Sequence, residues 1–139
     1  MNPMNYKIFI LISFFILLHA CSIGKKKYEV ISSANNNGFV SVQIYTADTS
    51  GTNLSEINDE LFSEYKDSCE DLYLTYFDEK ESAKKFMGLM FKESITGADD
   101  TLIQHNVAIY SYNKYKSARP CLERRGKLGW NEIKCYKVR

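Results

Sequence analysis

The chain has 139 residues, with 18 Lys and Arg against 17 Asp and Glu and a formal net charge of +1. A balance so even exerts no overall pull toward a strongly acidic or basic partner, so net charge selects no binding class. The length suits one domain and is too short for two.

Residues 1–20 read as a leader. Lys7 supplies a positive start, Ile8 to Leu18 is apolar apart from Ser13, and small Ala20 precedes a candidate cleavage point. These are the three parts of a secretory signal. The apolar run falls short of the about 20 residues that a spanning helix needs, and Lys25, Lys26 and Lys27 follow soon after it. An ordinary secretory signal ahead of a disulfide cysteine would share these features. The segment Leu18-His19-Ala20-Cys21 resembles the lipobox of bacterial lipoproteins. The resemblance implies cleavage before Cys21, a diacylglyceride on its sulfur and a fatty acyl chain such as palmitate on its amine. Several acyl chains at about 0.8 kcal/mol per buried CH₂ would hold the domain to the cell membrane almost permanently. By the same resemblance, Ser22 rather than Asp after the cysteine implies the outer membrane. The run Gly24-Lys25-Lys26-Lys27 lacks an acidic surface-export signal, so the expected position faces the periplasm. The chain then divides into a signal peptide at 1–20, a lipidated tether at 21–27 and one globular domain at 28–139.

In the domain, Tyr28 to Ser33 alternates as a first strand, and Asn35-Asn36-Asn37-Gly38 is turn chemistry because Asn and Gly tolerate positive φ. Phe39 to Tyr45 is a second strand, with Val40, Val42 and Ile44 on one side. After a loop at Thr46 to Thr52, Asn53 is the expected N-cap of a helix, with Glu56 three residues on and Leu54, Ile57, Leu61, Phe62 and Tyr65 at helical spacing. Leu72, Leu74 and Tyr76 alternate with Tyr73, Thr75 and Phe77 in a third strand. Asp78 and Glu81 open a second helix whose Ala83, Phe86, Met87, Met90 and Phe91 form a core stripe. Gly97-Ala98-Asp99-Asp100 is a loop, and Asn106 to Tyr112 returns to strand alternation, Val107 and Ile109 against Ala108, Tyr110 and Tyr112. A last short strand falls near Ile133 to Val138. The order predicts an α+β fold: a two-layer sandwich with an antiparallel or mixed sheet, both helices on one face, and ferredoxin-like order.

Charge is unevenly spread. Leu54 to Asp100 holds 13 acidic residues against 5 Lys, whereas Lys114 to Arg139 holds 9 basic residues against Glu123 and Glu132. Such separation steers an acidic partner to the basic end or is satisfied inside the molecule, and the second is favoured. Once Cys21 is acylated, Cys69, Cys121 and Cys135 remain, and outside the cytoplasm a disulfide is expected. Cys69 can pair with either of the others, but a Cys121–Cys135 bond would rigidify the otherwise polar loop Leu122 to Lys134 and is preferred.

No catalytic set stands out. His105 is the lone histidine after the leader, and no local motif joins it to a cysteine nucleophile. One His and three spaced Cys are a poor zinc supply, Asp99-Asp100 lacks the alternating oxygens of a calcium loop, and no cofactor motif occurs. If both helices cover one sheet face, Phe39, Tyr45, Tyr73, Phe77, Tyr110 and Tyr112 project from the other as a partly apolar surface suited to binding, or one covered by another segment of the chain. Arg124 and Arg125 near the single Trp130 are the best candidates for contact with anions. Export removes an RNA-binding reading of these aromatics, so no nucleic-acid partner is expected. The expected function is a non-enzymatic binding or scaffold domain with an envelope protein as partner. The alternatives are an inhibitor or immunity-type lipoprotein acting through the basic Cys121–Cys135 loop, and a small envelope hydrolase.

Overall fold

A computed structural model of the protein describes residues 26–90, 104–116 and 119–137, with side chains of 87–90 excepted. The leader, Cys21, Phe91, the loop Gly97 to Asp100 and Val138 lie outside the described residues, as do the side chains of Met87 and Met90. The fold is α+β, with a six-stranded mixed sheet and two helices among the described residues. In chain order these are β1 (Glu29–Asn36), β2 (Phe39–Tyr45), α1 (Gly51–Tyr65), β3 (Asp71–Phe77), α2 (Lys80–Met90), β4 (Asn106–Asn113), β5 (Cys121–Gly126) and β6 (Gly129–Cys135).

The strands lie side by side in sequence order. Every neighbouring pair is antiparallel except β2 with β3, which are parallel and joined by the crossover through α1. Ferredoxin-like order is therefore not what the sheet shows: a single crossover sets β3 beside β2, and every later connection returns next to the strand it left.

The first turn forms as its residues dictate. Asn37 and Gly38 adopt φ of 50° and 87°, the left-handed pair that closes a two-residue hairpin with the twist of its strands. Gly38 has a second constraint, because its carbonyl accepts from Glu70 N at 2.8 Å and Asp71 N at 3.1 Å. A Cβ there would lie 3.2 Å from Glu70 Cγ. The N-terminus of α1 lies three residues earlier than expected: Ser50 is the N-cap and its hydroxyl accepts from Asn53 N at 3.3 Å. Asn53 is buried inside the first turn and donates through Nδ2 to Thr46 Oγ1 at 3.1 Å and to the Asp48 carbonyl at 2.7 Å.

Leu54, Ile57 and Leu61 of α1 pack on Val40, Val42 and Ile44 of β2, Leu72, Leu74 and Tyr76 of β3, and Tyr110 and Leu122 beyond. Each such aliphatic side chain contributes about 1.5–3 kcal/mol on burial. The phase of β4 is the reverse of the expected one. Tyr110 pairs with Leu74 and Tyr112 with Leu72 in register, which turns both tyrosines toward α1, where Phe62 meets their rings at 5.6 and 5.2 Å. Large rings fill the space beside Phe62 that Val107 and Ile109 would leave empty.

The two helices do not share a face. Phe86 of α2 packs its ring 5.3 Å from Phe77, and Lys80 lies over the Tyr45 ring at 5.1 Å. Tyr45 and Phe77 alternate with the positions that α1 covers and pair with each other in register. Both faces of β2 are thereby covered, so Ser41 and Gln43 are buried as fully as Val42. The expectation of both helices on one side fails because β2 carries two buried faces, only one of which is apolar.

The C-terminal segment read as a closed loop with one short strand is a β-hairpin. Cys121 and Cys135 face each other in register at its open end and form the disulfide. Tyr136 N donates to the Pro120 carbonyl at 2.9 Å just outside the bond. Polar, charged side chains on this edge pair hide its alternation in the sequence.

Candidate functional site

The aromatic face divides into three environments. Tyr45 and Phe77 are covered by α2. Tyr110 and Tyr112 belong to the opposite face, in the cluster with Phe62, and Tyr110 also meets Tyr136 at 5.3 Å. Phe39 and Tyr73 remain together, rings 5.1 Å apart, with Tyr73 39% exposed. Of the four tyrosines expected at a binding surface, Tyr73 is the one on open sheet.

Beside Tyr73 the part of the sheet left open among the described residues forms a concavity of about 240 Å³. Ile109 and Ser111 of β4 and Glu123 and Glu132 of the hairpin line it, together with Lys116, Arg119 and Pro120. The disulfide forms part of its wall at Cys121. Its volume is below the about 300–1,000 Å³ of most small-molecule sites, which suits it to one or two side chains of a partner better than to a cofactor. Both signs of charge and the Ser111 hydroxyl offer complementary polar contacts. Glu132 also lies near both sulfurs of the hairpin, but their mutual bond leaves no thiolate pair to ligate a metal.

Arg124, Arg125 and Trp130 lie at the far end of the hairpin. Arg125 and Trp130 are cross-strand partners, and Arg124 pairs with Asn131 and donates through Nη1 to the Thr49 carbonyl at 3.4 Å. Lys127 and Leu128 make the turn, and Leu128 is fully exposed.

His105 and Cys69 lie beyond opposite ends of β3, so they form no nucleophile–base pair. Cys69 is buried, its thiol donates to the Tyr65 carbonyl at 3.2 Å, and burial pushes its pKa up. His105 instead contacts Asp78 through Nδ1 at 2.8 Å, and its Nε2 lies 3.7 Å from Glu79. The Asp78 hydrogen bond raises its pKa above the ordinary 6.5. Ser82 completes the cluster by donating to Glu79, but it is buried and its hydroxyl is committed to that carboxylate. The arrangement sits at the start of α2 and pins β4 to β3, whose adjoining Asp78 N donates to the His105 carbonyl at 3.2 Å. A strand-start histidine two positions from an alternating run, with acids at a helix start, was the sequence signal for this junction.

The acidic helix and the basic tail meet inside the molecule. Lys134 donates to both Asp59 oxygens at 2.8 and 2.6 Å, and from the other terminus Lys27 and Lys26 reach Glu56 and Glu60 at 3.1 and 3.5 Å. Comparison of the chain with protein-family models, curated proteins and solved structures gives no match.

Proposed function

We propose that the protein is a lipid-anchored, non-enzymatic binding domain of the bacterial cell envelope, held through acylated Cys21 at the outer membrane and facing the periplasm. A protein partner inserts one or two side chains into the concavity beside Tyr73. The observation that carries the binding role is this mixed-charge hollow beside Tyr73, open among the described residues, with the Cys121–Cys135 disulfide forming part of its wall. The leader pattern ending at Cys21 supports the anchor.

A photo-crosslinking residue placed at position 111 in living cells tests the site. One recurrent envelope protein is expected, and Tyr73→Ala should remove the adduct. The absence of any adduct from position 111, or one that persists unchanged in Tyr73→Ala, overturns the proposed surface. The anchor is tested separately: Cys21→Ala should accumulate as an uncleaved, unlipidated precursor, and normal maturation of that variant removes the lipoprotein reading.

A further inference from the structure

We infer that the tip of the β5–β6 hairpin is a second membrane contact, inserting Leu128 and Trp130 among anionic headgroups beside the N-terminal anchor. The inference rests on the proposed anchoring and adds an orientation to it. Leu128 is the most exposed large hydrophobic side chain among the described residues, at 104%, and Trp130 follows it by two positions at 43%. Arg124, Arg125 and Lys127 surround them, all exposed. An indole and an aliphatic side chain ringed by cations match the boundary between headgroups and acyl chains, where Trp brings apolar area with a polar edge and Arg and Lys meet phosphates.

The topology brings this tip to the tether. Glu29, at the start of β1, pairs with Tyr45 at the end of β2, and Phe77 ends β3 beside it. Ala108, near the start of β4, pairs with Arg124, and the turn at Lys127 and Leu128 follows. The chain therefore enters the sheet at the same end as the hairpin tip. The loop between β2 and α1 touches both: Thr46 Oγ1 donates to the Lys27 carbonyl at 3.2 Å, and the Thr49 carbonyl accepts from Arg124 at 3.4 Å. Lys27 follows Cys21 by six residues, a span of at most about 20 Å, which keeps this end of the domain near the headgroups once Cys21 is acylated.

Charge complementarity favours lipid over a neutral surface. Among the described acids at this end, Asp78 contacts His105 and Glu29 pairs with Lys80 at 2.5 Å. Arg124, Arg125 and Lys127 make the tip itself positive. With the tip against the bilayer, the hollow beside Tyr73, near the opposite end of β4 and β5, faces away from the membrane and stays open to a partner.

Trp130 is the single tryptophan of the chain, so its fluorescence reports the tip alone. The test uses the mature protein purified from its native membrane and reconstituted in vesicles of equal parts phosphatidylcholine and phosphatidylglycerol carrying brominated lipid. Flotation reads attachment, and bromine quenching of Trp130 reads tip insertion. Flotation with quenching supports the inference, with quenching lost in Leu128→Asp and weakened about fivefold in vesicle titrations by Lys127→Glu. The exposed turn position makes Leu128→Asp harmless to the core. Flotation without quenching overturns the tip contact and leaves the anchor standing. Quenching by a chain whose Cys21 carries no acyl group supports the tip and overturns the lipoprotein reading. Failure to float overturns both. A Trp130 emission that shifts in native membranes but stays unquenched in vesicles overturns the lipid contact in favour of a protein partner at the tip.

Discussion

The hydroxyls of Tyr76, Tyr110 and Tyr136 lie beneath or beside α1, and their hydrogen bonding differs. Tyr76 donates to Asn58 Oδ1 at 2.8 Å, and Asn58 Nδ2 donates to the Tyr136 hydroxyl at 2.9 Å, which donates in turn to Asp59 Oδ1 at 2.6 Å. The Tyr110 hydroxyl is buried and has no hydrogen-bond partner among the described residues. Removing one hydroxyl and orphaning its buried partner costs about 1–3 kcal/mol, whereas removing an unpaired one costs nothing. Tyr76→Phe should therefore lower the unfolding free energy measured in urea by that amount, and Tyr110→Phe should leave it unchanged or raise it. Equal losses in the two variants would refute this division. His105 gives a pH dependence. Asp78 raises its folded pKa, with Glu79 acting in the same sense and burial opposing. Its contribution is full below the unfolded value near 6.5 and is lost as pH rises through the folded value. An NMR titration of the His105 ring should show Asp78→Asn moving the midpoint down toward its ordinary position. A midpoint unmoved by that change would mean that the 2.8 Å contact is not the cause.

The β5–β6 hairpin is paired to β4 through Leu122 to Arg124 and closed at its base by the disulfide. Cys121 and Cys135 are 14 residues apart in sequence, and a loop of that size stabilises by about 3 kcal/mol when closed. Paired Cys121→Ser and Cys135→Ser changes should cost up to that amount in denaturant unfolding. Amide exchange should accelerate first in Glu123 to Asn131, beyond the stretch where Lys134 and Tyr136 hold α1. Uniform acceleration through β2 and β3 instead would show that the bond supports the whole sheet. The bond and the first two strands were legible from spacing and turn residues, because Asn37-Gly38 and a cysteine pair around a short segment act locally. The amphipathic stripe of α1 was legible for the same reason. The hairpin strands were not: Glu123, Arg124, Arg125, Asn131 and Glu132 offer little apolar alternation at a sheet edge. The phase of β4 was hidden because Tyr110 and Tyr112 are amphipathic and suit either face, and Phe62, distant in sequence, decides between them. The side chosen by α2 was equally invisible, since Ser41 and Gln43 look like solvent-facing residues yet lie under it. These misassignments matter for the site: they disperse the expected aromatic surface and leave Tyr73 with a small hollow.

Across the whole molecule, the acidic middle and the basic ends meet on α1 through Lys134, Lys27 and Lys26. These groups are all about half exposed, where such pairs contribute roughly 0–1 kcal/mol each. Raising the salt concentration to molar levels should therefore shift overall stability by no more than about 1–2 kcal/mol. A larger loss would assign the charge pattern a role in holding the fold rather than in its surface chemistry. The sequence-ordered sheet has a consequence for how the chain reaches this state. Each strand finds its place against the one before it, so no early segment waits unpaired for a distant late one. The longest closures are those through α1 and through the stretch between β3 and β4. Short-range connectivity of this kind favours rapid assembly. A polypeptide emerging N-terminus first from a narrow pore can build the sheet one strand at a time, finishing with the hairpin whose sulfurs then close it.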